Sequence, residues 1–459
     1  MSRYDSIVKV IGIYIPKPEY ISGWFDTEII REISNSTRIY AYGPKSVIEE
    51  LTQNQAVKTL ANFEFKEICL AKTSQITRSY QFVSKIVARY KNSTLSAQIK
   101  LSILGELRLF PAPFKTKQLV FAAVKNLKHL ITYALKYNLA LLVFVRPVGQ
   151  LVNSIFKFLY NIRSYKIPNE MKLDFDLFVF LSGKHEKQLF DLVKSMKKLN
   201  TPTALSIQNW DNLTSKSIVL TEPNFILVMG QSCIELATKV QGIDRDILIP
   251  SGLPRFNPYR SIHFHKSKSD NKTFTVLYLG TSVPHNEISL LNNLVSKLKN
   301  EMIGRAFKLV YKPHPYRRPT YFEAKLSGQY TVIQSKIEAF PPIKPEHIQL
   351  MEKSDLVISA PTSMLIESML LGKKTILDVT NDGVHRTTAA LVFKKYVHLT
   401  PLDLIENLEK CHSPEELFNR VLFAINDGSK EHVSYDLKQL IENSEHSYSS
   451  NILKLLENQ

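Results

Sequence analysis

The sequence predicts an α/β protein of two doubly wound domains facing each other across a cleft. Three observations carry that expectation. At 459 residues the chain exceeds the size at which a single hydrophobic core stops growing. Short apolar runs alternate with stretches of helical periodicity along most of its length, the pattern of parallel strands joined by crossover helices. A polar, proline-containing passage, Asn257 to Lys272, divides that alternation into two series. With 44% hydrophobic and 22% charged residues the composition is that of an ordinary globular protein, and no internal repeat or low-complexity tract interrupts it.

In the first series, strands are expected at Val8–Ile15, Arg38–Tyr42, Phe63–Leu70, Asp176–Leu181, Ala204–Gln208, Phe225–Met229 and Ile247–Pro250, with clear helices at His185–Lys198 and Cys233–Val240. The second series begins with a strand at Thr273–Gly280. A helix from about Asn286 to Lys299 follows, then strands Phe307–Lys312 and Thr331–Gln334, helix His347–Lys353, strand Asp355–Ser359, helix Ser363–Leu371 and strand Lys374–Val379. From Pro414 the chain is helical in character, interrupted around Asp427-Gly428. The expected domains are residues 1–258 and 273–459, with 259–272 as linker.

The apolar run Ile7 to Ile15, broken by Lys9 and followed by Pro16, reads as a buried strand and not as a secretory signal. No stretch approaches the ~20 apolar residues of a membrane span. Cys69, Cys233 and Cys411 have neither metal-ligand nor redox spacing, so buried thiols in a reducing cytoplasm are expected.

The net charge of +17 is unevenly placed. Between Glu106 and Glu170 there is no acidic residue, but ten basic ones: Arg108, Lys115, Lys117, Lys125, Lys128, Lys136, Arg146, Lys157, Arg163 and Lys166. From Leu119 to Asn138, Phe121, Val124, Leu127, Ile131 and Leu135 recur on one helical face with lysines opposite. A basic amphipathic region over about 107–169 predicts either a surface for anionic lipid or a helical layer of the first domain. Nucleic acid is not an expected partner, since no recognised nucleic-acid module is present.

Three strand ends of the second series carry chemistry. Lys312-Pro313-His314-Pro315 follows an apolar strand, and the prolines stiffen a turn that would present His314 to a departing phosphate, with Lys312, Arg317 and Arg318 adding charge. A surface turn with solvated bases is the plain alternative. Pro361-Thr362-Ser363 opens a helix whose free N–H groups and hydroxyls suit an anion, although simple N-capping explains the same residues. Glu367 lies one turn deeper on that face, placed to meet ribose hydroxyls. Gly280-Thr281-Ser282 ends the first strand of the series, where small residues admit a ligand to the backbone. Asp174-Phe175-Asp176 and Asp244-Arg245-Asp246 have metal-binding spacing but stand before strands, at the wrong end of a sheet, so no metal and no cofactor is expected.

Over Leu277 to Asp378 the sequence resembles bacterial CDP-glycerol glycerophosphotransferases and related capsule glycosyltransferases of the GT-B superfamily. The resemblance rests on Lys312-Pro313-His314-Pro315, Ser354 to Ser359, Thr362-Ser363, Glu367 and Gly372 to Ile376. The His-Pro and Ser/Thr pairs are also similar to those with which bacterial sialyltransferases grip a nucleotide phosphate. The acidic pair before glycine expected of that group is missing from the first half, which argues against a sialic acid donor. A second likeness covers Gln208 to Lys216 and Pro250-Ser251-Gly252-Leu253-Pro254-Arg255-Phe256, similar to segments of surface-polysaccharide proteins.

The resemblance implies two Rossmann-like domains in the GT-B arrangement, with the basic helical region inserted in the first. It implies a metal-independent transfer of a sugar or polyol-phosphate unit from a nucleotide-activated sugar or CDP-polyol donor to a glycan or lipid-linked acceptor. His314 would bind or protonate the leaving phosphate, Thr362 and Ser363 would hold its oxygens, and Glu367 would bind ribose. The general base would be Asp211 or Asp26, with Trp210 and Asn212 on the acceptor side. Independently of the resemblance, the basic stretch Arg108 to Lys166 would hold a cytoplasmic enzyme to the inner membrane face. A sugar-nucleotide 2-epimerase and a non-catalytic membrane-associated assembly factor are the alternatives.

Overall fold

The computed structural model describes residues 9–25, 28–88, 146–182, 186–260, 273–282, 285–301, 306–314, 331–332, 345–384, 388–428, 432–442 and 448–458. The first half builds a seven-stranded sheet from β1 (Lys9–Tyr14), β2 (Thr37–Gly43), β3 (Phe63–Glu67), β4 (Leu177–Ser182), β5 (Thr203–Ile207), β6 (Phe225–Val228) and β7 (Leu248–Pro250). Their order is β3-β2-β1-β4-β5-β6-β7, every pairing parallel. β4 is buried at all positions of Leu-Phe-Val-Phe-Leu-Ser. Helices cover both faces of a central parallel strand, so its sequence is continuously apolar and does not alternate.

The second sheet contains β8 (Phe274–Leu279), β9 (Phe307–Lys312), β10 (Thr331–Val332), β11 (Leu356–Ser359), β12 (Thr375–Asp378) and β13 (Glu409–Cys411). Their order is β10-β9-β8-β11-β12-β13, again parallel throughout. Both halves are thus doubly wound and Rossmann-like, the two-domain architecture of the GT-B fold. Strand order reverses between β1 and β4 in one sheet and between β8 and β11 in the other. Ligands of open parallel sheets bind outside the carboxyl ends at such reversals.

One core cluster joins the halves, bringing Trp210, Leu213, Phe256 and Tyr259 together with Leu365, Ile366, Met369 and Leu399. The chain end also returns to the first half. Ser232 N–H donates to Gln439 O at 2.9 Å and Glu442 N–H to Met229 O at 2.8 Å. The last helix, Tyr448–Glu457, buries Tyr448, Ile452, Leu455 and Leu456 against Trp24, Ile29 and Ile33. The expected break at Asp427-Gly428 is a helix end, with Gly428 in the left-handed region at φ 64°.

Of the basic region, helix Arg146–Ile162 is described, whereas Arg108 to Lys136 lie outside the described residues. Cys233 and Cys411 are buried as expected. Cys69 is exposed, two residues beyond the edge strand β3. Among the described residues no helix is long and apolar enough to cross a membrane.

Candidate functional site

The site begins with register. Leu279 at the end of β8 pairs with Lys312 of β9 on one side and with Ser359 of β11 on the other. Three adjacent strands therefore end at one level, with Lys312 and Ser359 about 10 Å apart at ordinary strand spacing. The segments that follow, Gly280-Thr281-Ser282, Pro313-His314 and Ala360 to Ser363, all leave the same carboxyl edge. That edge includes the β8–β11 reversal.

His314 is seated by a missing side chain. Gly280 N–H donates to Lys312 O at 2.9 Å. A Cβ on Gly280 would lie 3.0 Å from His314 N, 3.1 Å from Pro313 Cα and 2.8 Å from Glu287 Oε2. The backbone of Pro313 and His314 thus packs directly on Gly280, where only glycine leaves room. His314 itself is half-buried.

On the other side of β8, Thr362 takes the N-cap position of helix Ser363–Leu370 in extended conformation, but makes no capping bond. Its hydroxyl lies 3.3 Å from Ser359 Oγ. Plain capping is therefore not what Thr362 does, and the helix start keeps its capacity for an anion. Thr362 and Ser363 are both partly exposed.

Glu367 is buried, and its oxygens are engaged: Arg255 donates to Oε1 and the Tyr259 hydroxyl donates to Oε2 at 2.8 Å. Its observed partners are thus protein groups from the end of the first half. Burial also pulls the Lys312 ammonium below its ordinary range, against the opposing pull of Glu367. Arg255 belongs to the segment Gly252 to Phe256 that the sequence marked without giving it a role.

A buried polar network supports this edge from behind, and the sequence reading missed it. Glu287 accepts from Thr281 N–H at 2.7 Å and from the Tyr311 hydroxyl. Asp378, ending β12, accepts from the Tyr278 hydroxyl at 2.7 Å and faces His285 Nε2 at 3.6 Å. Asp382 accepts from Asn286 N–H at 2.8 Å and faces His285 Nδ1 at 3.8 Å. Burial alone would lower the His285 pKa. Asp378, with Glu287 and Asp382, outweighs it and holds the ring above its ordinary value. Burial would likewise raise Asp378, but His285 and Tyr278 keep it below the usual carboxylate range. Thr281 is buried as part of this support, while Ser282 is exposed.

The first half places its expected residues differently. Trp210 is buried edge-on to His398, with ring centroids 5.3 Å apart. Asn212 is fully buried and donates to Ser182 O at 3.0 Å, so both side chains hold the protein together and are not presented to a ligand. Asp211 sits at the start of a π-helical turn, Asn212–Lys216. Lys216 Nζ approaches its Oδ1 at 2.8 Å and Ser215 Oγ donates to Oδ2 at 3.2 Å. Although burial pushes Asp211 up, Lys216 and His398 hold it below the usual carboxylate range. A carboxylate so engaged is a weak proton acceptor.

Asp26 and Arg317 lie outside the described residues. At the β1–β4 reversal stands another carboxylate, Glu186, four residues after Ser182. It is buried, accepts from the Tyr20 and Ser182 hydroxyls, and lies 3.6 Å from Lys17 Nζ. Its only signal in the sequence was a place beside an expected helix start. Of the Asp-x-Asp pairs, Asp176 binds Val10 N–H at 2.7 Å and Asp244 caps Asp246 N–H at 3.1 Å. Among the described residues no group of three or more His, Cys, Asp or Glu side chains could hold a metal ion.

By sequence the chain matches no family profile and no curated protein. By structure it is similar to the UDP-GlcNAc 2-epimerase of Methanocaldococcus jannaschii in complex with UDP-GlcNAc and UDP, with a TM-score of 0.48, 11% identity and coverage of 98% of this chain and 100% of that one. The UDP-GlcNAc 2-epimerase of Neisseria meningitidis bound to UDP-GlcNAc follows at 0.46 and 11%, covering 98% and 100%. A glycosyltransferase from Rickettsia africae gives 0.45 and 12%, covering 98% and 94%. Likeness at this level says nothing of what this chain binds. The narrower resemblance to CDP-glycerol glycerophosphotransferases rests on the sequence segments alone.

Proposed function

We propose that the chain is a metal-independent, inverting transferase that moves a sugar or polyol-phosphate unit from a nucleotide-activated donor to a surface-glycan or lipid-linked acceptor. The observation that carries this reading is the convergence of His314, Lys312 and the uncapped helix start at Thr362-Ser363 on the carboxyl edge of β9, β8 and β11. An acceptor oxygen forms its bond to the transferred carbon or phosphorus as the donor's bond to the departing phosphate oxygen breaks. The electron pair leaves with the nucleotide. His314 donates a hydrogen bond to that oxygen, while Lys312, Arg317 and the helix start offset its negative charge. Ser282, exposed beyond the end of β8, completes the donor side.

The acceptor proton goes to a carboxylate of the first half. Asp211, held by Lys216 and Ser215, is a weak acceptor, so Asp26 and Glu186 join it as candidates. Glu367 acts on the donor through Arg255, whose guanidinium it holds. Incubation with CMP, CDP, UDP, GDP and their sugar or glycerol conjugates is expected to raise the melting temperature with one nucleotide class preferred. Donor turnover is expected to survive EDTA and to fall ~10²–10⁴-fold in His314→Ala. Stabilisation by none of the nucleotides, or turnover unchanged in His314→Ala, removes the assignment. Interconversion of a nucleotide sugar with its epimer in the absence of acceptor would place the chain with the epimerases instead.

A further inference from the structure

Helix Arg146–Ile162 packs on the first half through one face. Ser84 of helix Gln75–Ala88 donates to Asn153 at 2.7 Å, the Tyr80 and Tyr160 rings lie 5.3 Å apart, and the Tyr160 hydroxyl donates to Phe190 O at 3.0 Å. The opposite side is apolar and uncovered. Val148, Leu151, Ile155, Phe158 and Ile162 are 38, 63, 50, 64 and 64% exposed. Their spacing alternates three and four residues, so they form one straight stripe about 20 Å long. Single exposed apolar side chains are ordinary, but five in line mark a contact surface.

The electrostatic setting selects what fits it. Between Glu67 and Glu170 the chain has one acidic residue, Glu106, against sixteen lysines and arginines. Beside the stripe the exposed polar residues are Gln150, Ser154, Lys157 and Asn161, followed by Arg163 and Lys166, none of them acidic. A second copy docked on this face would set like charges together, which opposes association. An anionic bilayer suits both features: the stripe enters the boundary between headgroups and acyl chains, and the bases meet lipid phosphates. We propose that helix Arg146–Ile162 lies in the plane of an anionic membrane, with Leu151, Ile155, Phe158 and Ile162 inserted. The inference does not depend on the donor-site reading, so either can fail alone.

The test is co-sedimentation of the full chain with vesicles of phosphatidylcholine, with and without phosphatidylglycerol. Binding is expected only with the anionic lipid, to weaken as salt rises, and to fall roughly tenfold or more in Leu151→Ser/Phe158→Ser. Because both positions are exposed, the double variant should keep the parent's melting temperature. In an otherwise intact chain, Phe158→Trp supplies a fluorescence reporter that should shift to the blue when phosphatidylglycerol vesicles are added. Vesicle binding equal to the parent's in the double variant overturns the proposal, as does binding indifferent to lipid charge. An unmoved tryptophan signal would mean that the stripe is covered by the chain itself. A dimer in sedimentation velocity that the double variant abolishes, without vesicle binding, would assign the face to a second copy and equally refute the lipid role.

Discussion

Replacing Gly280 with alanine tests how His314 is held. The new Cβ would sit 2.8 Å from Glu287 Oε2 and 3.0 Å from His314 N. Both must retreat by roughly half an ångström or more to reach ordinary van der Waals contact. Neither is free to do so. Glu287 is pinned by Thr281 N–H and the Tyr311 hydroxyl, and the His314 side of the contact is backbone tied to β9. Overpacking of this kind costs about 1–3 kcal/mol. The strain should express itself as a shift of the Pro313-His314 backbone away from β8, and misplacing a catalytic group on the ångström scale costs ~10²-fold in rate. Urea unfolding should therefore show a lower midpoint with an unchanged slope, and donor turnover should fall ~10–100-fold in the folded protein. Full stability and full turnover in Gly280→Ala would refute the claim that the Pro313-His314 backbone rests on Gly280.

Burial lowers the His398 pKa from 6.5 to about 4, against the pull of Asp211 and with Lys216 adding to the drop. The unfolded chain takes up this proton below pH ~6.5 and the folded chain only near 4. Stability should thus be full above pH 6.5 and decline by roughly 3 kcal/mol as pH falls toward 4, a component that His398→Gln should abolish in denaturant titrations. Asp211→Asn should cost about 1–3 kcal/mol by unpairing Lys216, with turnover per folded molecule retained; a stable but inactive Asp211→Asn would restore Asp211 as the base. Tyr448→Phe removes the 2.6 Å contact with Ser206 Oγ, but Gln208 Nε2 still donates to that oxygen at 2.9 Å. The loss should stay near 1 kcal/mol by urea titration.

The sequence announced the second half most clearly. Its strands β8, β9, β11 and β12 are short, largely apolar runs, each ending at or just before a residue suited to a turn or ligand, so the strands and the shared edge of His314, Gly280 and Thr362 could be expected, though not their order in the sheet. β13 could not, because Glu409-Lys410-Cys411 is three residues long, two of them charged, at a sheet edge. The sequence likeness put Trp210 and Asn212 on the acceptor side of a site. Only the fold shows the π-helical turn that tucks them under Ser182 and His398. His285 and Asp378 lie 3.6 Å apart across many residues of chain, with no local pattern to link them. The apolar positions of Tyr448–Glu457 announce an amphipathic helix, but not which half it covers.

The return of the chain end gives the molecule a mechanical property. The polypeptide passes from one lobe to the other after Arg260 and comes back by Gln439, so two covalent crossings reinforce the core that the lobes share. Cutting the chain near residue 258 would yield a first lobe with the seat of Tyr448, Ile452 and Leu455 left open to water. Two tethers also favour a swinging motion over a free twist.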